Sequence, residues 1–249
     1  MIVPTFKVLG LQALHSSLQD VEKQTRFGIA KAITKTAKAT ELALKEEMRA
    51  KTDRPTPHYM KSTFVAPATK RRLVARVGFK DRLASKNLIS AAERFGHHFE
   101  GGARLPKGLE GYLRRAGLIG ADEFVVPGAG VRLDQFGNMS RGQVQQLISQ
   151  LRIGLDPYAY ASGSKRSRRN VKKAGRIFWA RGNARDGHLQ RGAYIDLPPP
   201  VGIRPLLVVI DSPSYKRRFD LPRIAETTIA KTWEENLRSS LVDAFNSAK

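Results

Sequence analysis

Residues Phe27 to Pro57 read FGIAKAITKTAKATELALKEEMRAKTDRPTP, and the reading of this stretch decides the fold. Taken back to Leu11, apolar residues recur at Leu14, Leu18, Val21, Ile29, Ile33, Ala37, Leu44 and Met48, the spacing of three and four that gathers side chains on one face of a helix. One long helix over Leu11 to about Lys51 is predicted. Its centre, Ala30 to Ala43, mixes Ala with Thr and Lys, so the stripe is slim and suits a closely approaching helix, from the same chain or from another subunit. Thr52-Asp53-Arg54-Pro55-Thr56-Pro57 must end it, because proline lacks an N–H and pushes its predecessor out of helical space.

Beyond that stop, Thr63 to Ala66 and Leu73 to Phe79 read as strands flanking the basic Lys70-Arg71-Arg72, a hairpin with a cationic tip. Leu83 to Phe95 and Leu109 to Arg115 read as short helices separated by Gly101-Gly102. Phe124 to Pro127 reads as an edge strand, where proline is tolerated. Gly137-Asn138 forms a turn, and Ser140 N-caps a helix running to about Leu151. Tyr158 to Gly175 is rich in Ser, Gly and cations and has little to bury, so a flexible basic loop is expected at about 158–175. Ile177 to Ala180, Ala193 to Ile195 and Leu206 to Ile210 are strand-like, with Pro198 to Pro200 a stiff connector, and the three are expected to share a sheet with the earlier hairpin. Asp220-Leu221-Pro222 opens a final helix on which Ile224, Ile229, Trp233, Leu237, Leu241 and Phe245 line one face. The order of elements predicts an α+β fold: one domain over 1–249, with long N- and C-terminal helices packed on a mixed, mainly antiparallel sheet, and long irregular insertions.

The chain has 249 residues with 44 Lys and Arg against 22 Asp and Glu, a net charge of +22. Charged residues make up 27% of the chain, an ordinary density, so the sign is what sets it apart. A hydrophobic fraction of 41% suffices for a core and argues against a wholly disordered chain. The longest apolar run, Leu206 to Ile210, is far short of the roughly 18 residues a spanning helix needs, so a protein outside the membrane is expected. Met1 to Gly10 lacks the basic and apolar regions of a signal peptide. Zero cysteines exclude disulfides, thiolate metal sites and a cysteine nucleophile, and fit synthesis in a reducing cytoplasm.

Catalytic and cofactor patterns do not assemble. No G-x-x-x-x-G-K-[ST] is present, and Gly128-Ala129-Gly130 runs into Val131-Arg132-Leu133 without a third glycine. His97-His98 with Glu100 lacks the spacing of a metal site and reads better as a surface or subunit-contact pair. Neither Asp-x-Lys nor Glu-x-Lys, a pattern common in metal-dependent nucleases, occurs. His188-Leu189-Gln190-Arg191 with Tyr215 has the form of a recombinase pattern, but four-residue patterns recur by chance. No catalytic residue, cofactor or metal is therefore expected. The basic tract is the stronger signal: Lys165 to Arg191 holds ten cations and one acid, Asp186. Lys165, Arg166, Arg168, Arg169, Lys172 and Lys173, with Lys70, Arg71 and Arg72, are the candidate contacts for nucleic acid or an acidic partner. A solvated loop that keeps the protein soluble fits the same tract. No helix carries Asn, Gln and Arg on one face to read bases, so any such contact is sequence-independent.

The segment Leu133-Asp134-Gln135-Phe136-Gly137-Asn138, followed by Arg141-Gly142-Gln143, resembles morphogenesis proteins of tailed bacteriophages, in particular the minor tail protein Z-like group. The Ala/Thr/Lys-rich helix from Phe27 to Arg49, the basic segment before Phe178-Trp179, and Pro213 to Phe219 leading into the last helix fit the same group. The resemblance implies a non-enzymatic structural protein of the virion, at the tail or the head-to-tail junction. It would be assembled in the host cytoplasm as a ring, a hexamer being the leading copy number, around the DNA channel. Its partners would be itself, other neck or tail proteins and packaged DNA without sequence specificity. The alternative is a nonspecific nucleic-acid-binding protein.

Overall fold

The computed structural model describes residues 11–80, 90–160 and 164–247. The chain is α+β with long terminal helices, and among the described residues every strand pair is antiparallel. The sequence reading takes 1–249 as one domain; internal packing gathers the chain into two compact units, one ending at Glu93 and resuming at Arg218, the other running from Arg94 to Arg217.

The first unit is organised by α1 (Leu11–Lys51), a helix of 41 residues, as the apolar spacing predicts. After the Thr52–Pro57 stop, α2 (Pro57–Met60) begins with proline in its first turn, and the Thr56 hydroxyl accepts the Tyr59 N–H. Strands β1 (Thr63–Ala66) and β2 (Arg76–Phe79) follow, paired from Thr63↔Phe79 to Ala66↔Arg76. They rest on α1, where the Thr63 hydroxyl donates to Glu41 at 2.7 Å and the Ala68 N–H to Thr34 Oγ1 at 3.1 Å. The predicted hairpin is present with a shorter second strand. The tip closes as a turn in which Thr69 N–H donates to Arg72 O, leaving Lys70 and Arg71 exposed at its centre.

Past the second unit the chain returns as α8 (Leu221–Asn246), N-capped by Asp220, whose carboxylate accepts the Arg223 N–H. It runs antiparallel to α1: Gly28 meets Ser240 and Leu241, Asn236 Nδ2 donates to Thr36 Oγ1 at 3.0 Å, and Lys35 reaches Ser239. The buried residues here are small, with Ala32, Thr36 and Thr40 from α1 and Ser240 and Ala244 from α8. Leu44, Met48 and Phe219 are the largest fully buried side chains described in this unit. The apolar stripe expected on α8 is only partly its inner face: Ile224 is buried, but Ile229 and Phe245 are 46% and 45% exposed. Small side chains let the helices approach closely, so α8 turns Ser240 and Ala244 inward in place of its largest residues.

The second unit begins with short pieces, α3 (Ala91–Phe95, which starts in the first unit), α4 (His97–Glu100) and β3 (Gly102–Ala103). The helix expected over Leu83 to Phe95 lies partly outside the described residues. Then come α5 (Gly108–Arg115), β4 (Glu123–Pro127) and α6 (Arg141–Leu151), close to their predicted bounds. A basic helix α7 (Lys165–Ala174) leads into β5 (Arg176–Ala180), β6 (Gly192–Leu197), β7 (Gly202–Asp211) and β8 (Ser214–Tyr215). One sheet has the order β4-β7-β6-β5, so β4 is an edge strand as its proline requires; β8 pairs with β3. Leu113, Val125, Leu147, Ile177, Ile195 and Leu207 form its core against α5 and α6.

Two expectations are corrected. The three late strands share their sheet with β4 rather than with the β1–β2 hairpin, because Glu123 to Pro127 pairs along β7 through Val125↔Val209 while β1 and β2 satisfy each other. Residues 165–174 are also helical where a loop was expected. Ser164 caps the first turn by accepting the Ser167 N–H, Lys and Arg favour helix, and Gly175 at φ 91° ends it.

The closeness of α1 and α8 limits what position 28 can hold. A Cβ at position 28 would stand 2.8 Å from Leu241 Cδ2 and 3.1 Å from Leu241 Cα. Gly28→Val is expected to lower stability by about 1–3 kcal/mol, read as a lower urea midpoint, whereas Gly111→Ala, where a Cβ meets open space, leaves the midpoint unchanged or raises it.

Candidate nucleic-acid interface

The nine cations singled out in the sequence form two separate groups, one in each unit. In the second unit, Lys165, Arg166, Arg168, Arg169, Lys172 and Lys173 are exposed on α7. At 100° per residue, all six fall within about 160° of the helix circumference. Ser167 and Val171 fall on the opposite side and are half-buried. The helical period therefore turns a basic tract into a basic face about 12 Å long. In the first unit, Lys70, Arg71 and Arg72 are exposed at the hairpin tip, and Lys70 Nζ lies 4.8 Å from the centre of the Phe27 ring on α1. Sequence reasoning missed that this brings Lys70 beside Lys31, Lys35 and Lys38 of α1 around one groove. The signal was the four- and three-residue spacing of those lysines.

The segment that carries the resemblance is a closed loop leading into α6. Asp134 Oδ1 accepts the N–H groups of Phe136 and Asn138, each at 2.8 Å, and Asp134 N–H donates to Asn138 O. Gly137 takes φ 76°, and Leu133 bridges Met139. Ser140 caps α6 by accepting the Gln143 N–H. In the orientation that satisfies both its ends, the Gln143 carboxamide donates to Arg132 O at 2.7 Å and accepts from Arg132 N at 3.0 Å. Asp134, Gly137, Ser140 and Gln143 thus hold a conformation.

Gly137 and Asn138 also line a cavity of about 240 Å³ with Lys107, Glu110 and Val125. Glu110 is fully buried and accepts four hydrogen bonds: two from Arg104 at 2.5 and 2.8 Å, one from Lys107 N–H at 2.6 Å and one from Val125 N–H at 3.1 Å. Burial pushes its carboxyl up, but the Arg104 guanidinium and the two backbone N–H groups outweigh burial and hold it below the usual glutamate range. Arg104 is raised chiefly by its bond to Glu110, and desolvation lowers Lys107.

The remaining candidates have structural places. His97 and His98 are half-buried, their rings 4.1 Å apart, with His97 5.0 Å from Tyr215. Among the described residues no group of three or more His, Cys, Asp or Glu is set to hold a metal ion. Arg191 bonds Glu123 Oε1 at 2.5 Å and Leu118 O at 2.6 Å, tying down the end of β4, while Tyr215 lies on β8 opposite Gly102. Among the described residues no helix is long and apolar enough to cross a membrane. Compared with known proteins, the chain matches no family model, no curated protein and no solved structure.

Because the folded carboxyl of Glu110 lies below its unfolded value of about 4.3, its stabilisation is present above that pH and is lost as pH falls through the folded value. Glu110→Gln is expected to cost about 3 kcal/mol at neutral pH by leaving Arg104 without its counter-charge. It should also flatten the loss of stability between neutral and acid pH. Urea titrations at neutral and acid pH measure both, and equal losses in the two proteins on acidification would refute the assignment.

Proposed function

We propose that this chain is a structural protein of a tailed-phage virion, a tail-completion or neck subunit that forms a homo-oligomeric ring around the DNA channel, with six copies the leading number. The phage context rests on the resemblance at Leu133 to Gln143. The geometric observation that supports a ring is the uncovered part of α1. The helix is about 61 Å long against about 39 Å for α8, and the pairing of Gly28 with Leu241 leaves the first three turns or so of α1 beyond the end of α8. There Leu18 is 60% and Val21 51% exposed; near the end of α8, Val242 is 54% exposed and Phe245 45%. Apolar groups on a regular helix are covered when a second copy packs against them.

Negative-stain imaging of the full chain is expected to show closed rings of countable subunits. The double variant Leu18→Glu, Val21→Glu should abolish them without lowering helix content, since both positions are exposed. A strictly monomeric wild type that is also absent from purified particles overturns the proposal.

A second reading, nonspecific nucleic-acid binding, is favoured by one observation, the six cations on one face of α7. Changing Lys165, Arg166, Arg168 and Arg169 to Gln should lower the slope of log affinity against log salt for duplex DNA by about 3.6, at roughly 0.9 for each phosphate that is no longer neutralised. An unchanged slope means that α7 does not touch DNA.

A further inference from the structure

Between α1 and the β1–β2 turn the first unit carries a groove of about 490 Å³, walled by Lys31, Lys35 and Lys38 on one side and Lys70 on the other. The three α1 lysines stand at i, i+4 and i+7, on one face and spread over about 10 Å of helix axis. The small residues Ala30 and Thr34 lie between the walls, so the floor stays low. Thr34 fixes the turn by accepting the Ala68 N–H, and Lys70 is held over the Phe27 ring. The walls are in place before a ligand arrives, which reduces the ordering cost of binding.

The groove is short of counter-charge. Asp243 sits 2.7 Å from Lys31 and 3.7 Å from Lys35. Among the described residues, neither Lys38 nor Lys70 is ion-paired to a carboxylate. Four lysines against one aspartate leave +3, and Arg71 and Arg72 continue the positive strip at the tip. A row of charges suits a linear polyanion, which engages several at once, more than a small anion that meets one. Lysine is a compact point charge that donates to phosphate oxygens without a fixed orientation, whereas planar carboxylates are best matched by the arginine fork, which the lining lacks. Phe27, the aromatic residue of the lining, has its face taken by Lys70 and is not free to stack on a base.

We infer that this groove is a binding site for the phosphate backbone of double-stranded DNA, which it engages without reading base sequence. The inference deepens the reading of a subunit facing a DNA channel and rests on it for the presence of duplex DNA. It adds a location on the chain that is separate from α7.

The test is fluorescence anisotropy of a labelled random-sequence duplex with the full chain across a salt series, alongside imaging of rings. Relative to wild type, Lys38→Gln with Lys70→Gln is expected to weaken binding about tenfold and to lower the salt slope by nearly 2. Lys38→Arg with Lys70→Arg, which keeps the charge, should restore both. The loss should also appear when α7 has already been neutralised. Absence of duplex binding by the wild type, an unmoved slope in the Gln variant, or failure of the Arg variant to restore it overturns the inference. Polyglutamate displacing the duplex equally well at matched charge also overturns it, and assigns the groove to an acidic protein surface. Intact rings with an unmoved slope sink the DNA groove alone; a moved slope without rings sinks the virion ring alone.

Discussion

The first unit depends on how closely α8 approaches α1. Gly28 is the position where a side chain is not accommodated, since Leu241 Cα and Ser240 O lie 3.1 and 3.2 Å from where its Cβ would be. A glycine inside a helix costs about 0.5–1 kcal/mol relative to alanine, and here that cost is offset by contact between residues some two hundred positions apart. Around Thr36 and Ser240 the buried residues are Ala, Ser and Thr, so stabilisation there comes from many short dispersion contacts and from bonds such as Asn236 to Thr36, while Leu44, Met48 and Ile224 supply larger buried side chains elsewhere in the unit. The same economy of side chains keeps Ala30 and Thr34 small on the flank facing the β1–β2 turn, and so leaves room for the lysine groove.

In the second unit the corresponding fixed point is Glu110. A lone buried carboxylate would take a proton, but four donors converge on this one, and they come from Arg104, from the backbone where α5 begins and from β4. The Asp134 loop stands beside that junction and satisfies its own backbone through one carboxylate. Its most specific residues thus have a conformational reason to be there. Their chemistry explains a shape held at the mouth of α6.

Much of this was legible in the sequence because local physics settles it. The apolar period of α1, the proline stop, the Asp220 and Ser140 caps and the edge position of the proline-bearing β4 follow from residues within a few turns of each other. What was not legible depends on partners distant in sequence. Periodicity identifies β7 as a strand but not that Phe124 to Pro127 occupies its edge. A search for large apolar residues picks Ile229 and Phe245 on α8, while the contact is made by Ser240 and Ala244, whose smallness is the point. The helix α7 was missed for another reason: a tract with little to bury was equated with a loop, although its cations already recur at helical spacing. Lysines 31, 35 and 38 were visible as a row, but the groove exists only because Thr34 fastens the turn carrying Lys70.

The excess of +22 therefore has an energetic location. On α7 six like-charged pairs stand three or four residues apart, 165/168, 165/169, 166/169, 168/172, 169/172 and 169/173. At about 0.2–0.5 kcal/mol each, together they oppose the helix by roughly 1–3 kcal/mol, as much as or more than the approximately 1 kcal/mol its Ser164 cap contributes. The helix is held by that cap, by intrinsic propensity and by the half-buried Ser167 and Val171. In the α1 groove Asp243 relieves Lys31 and Lys35 but not Lys38 or Lys70. Residual repulsion of this kind is reduced when a polyanion lies along the charges, and the counterions it displaces add to the driving force. Surfaces meant only to keep a protein soluble gain nothing from such concentration, since interspersed charges of both signs serve that purpose at lower cost. Concentrated on one face of α7 and along one groove of α1, the cations form two lines of positive charge, the arrangement on which the proposed polyanion contacts rest.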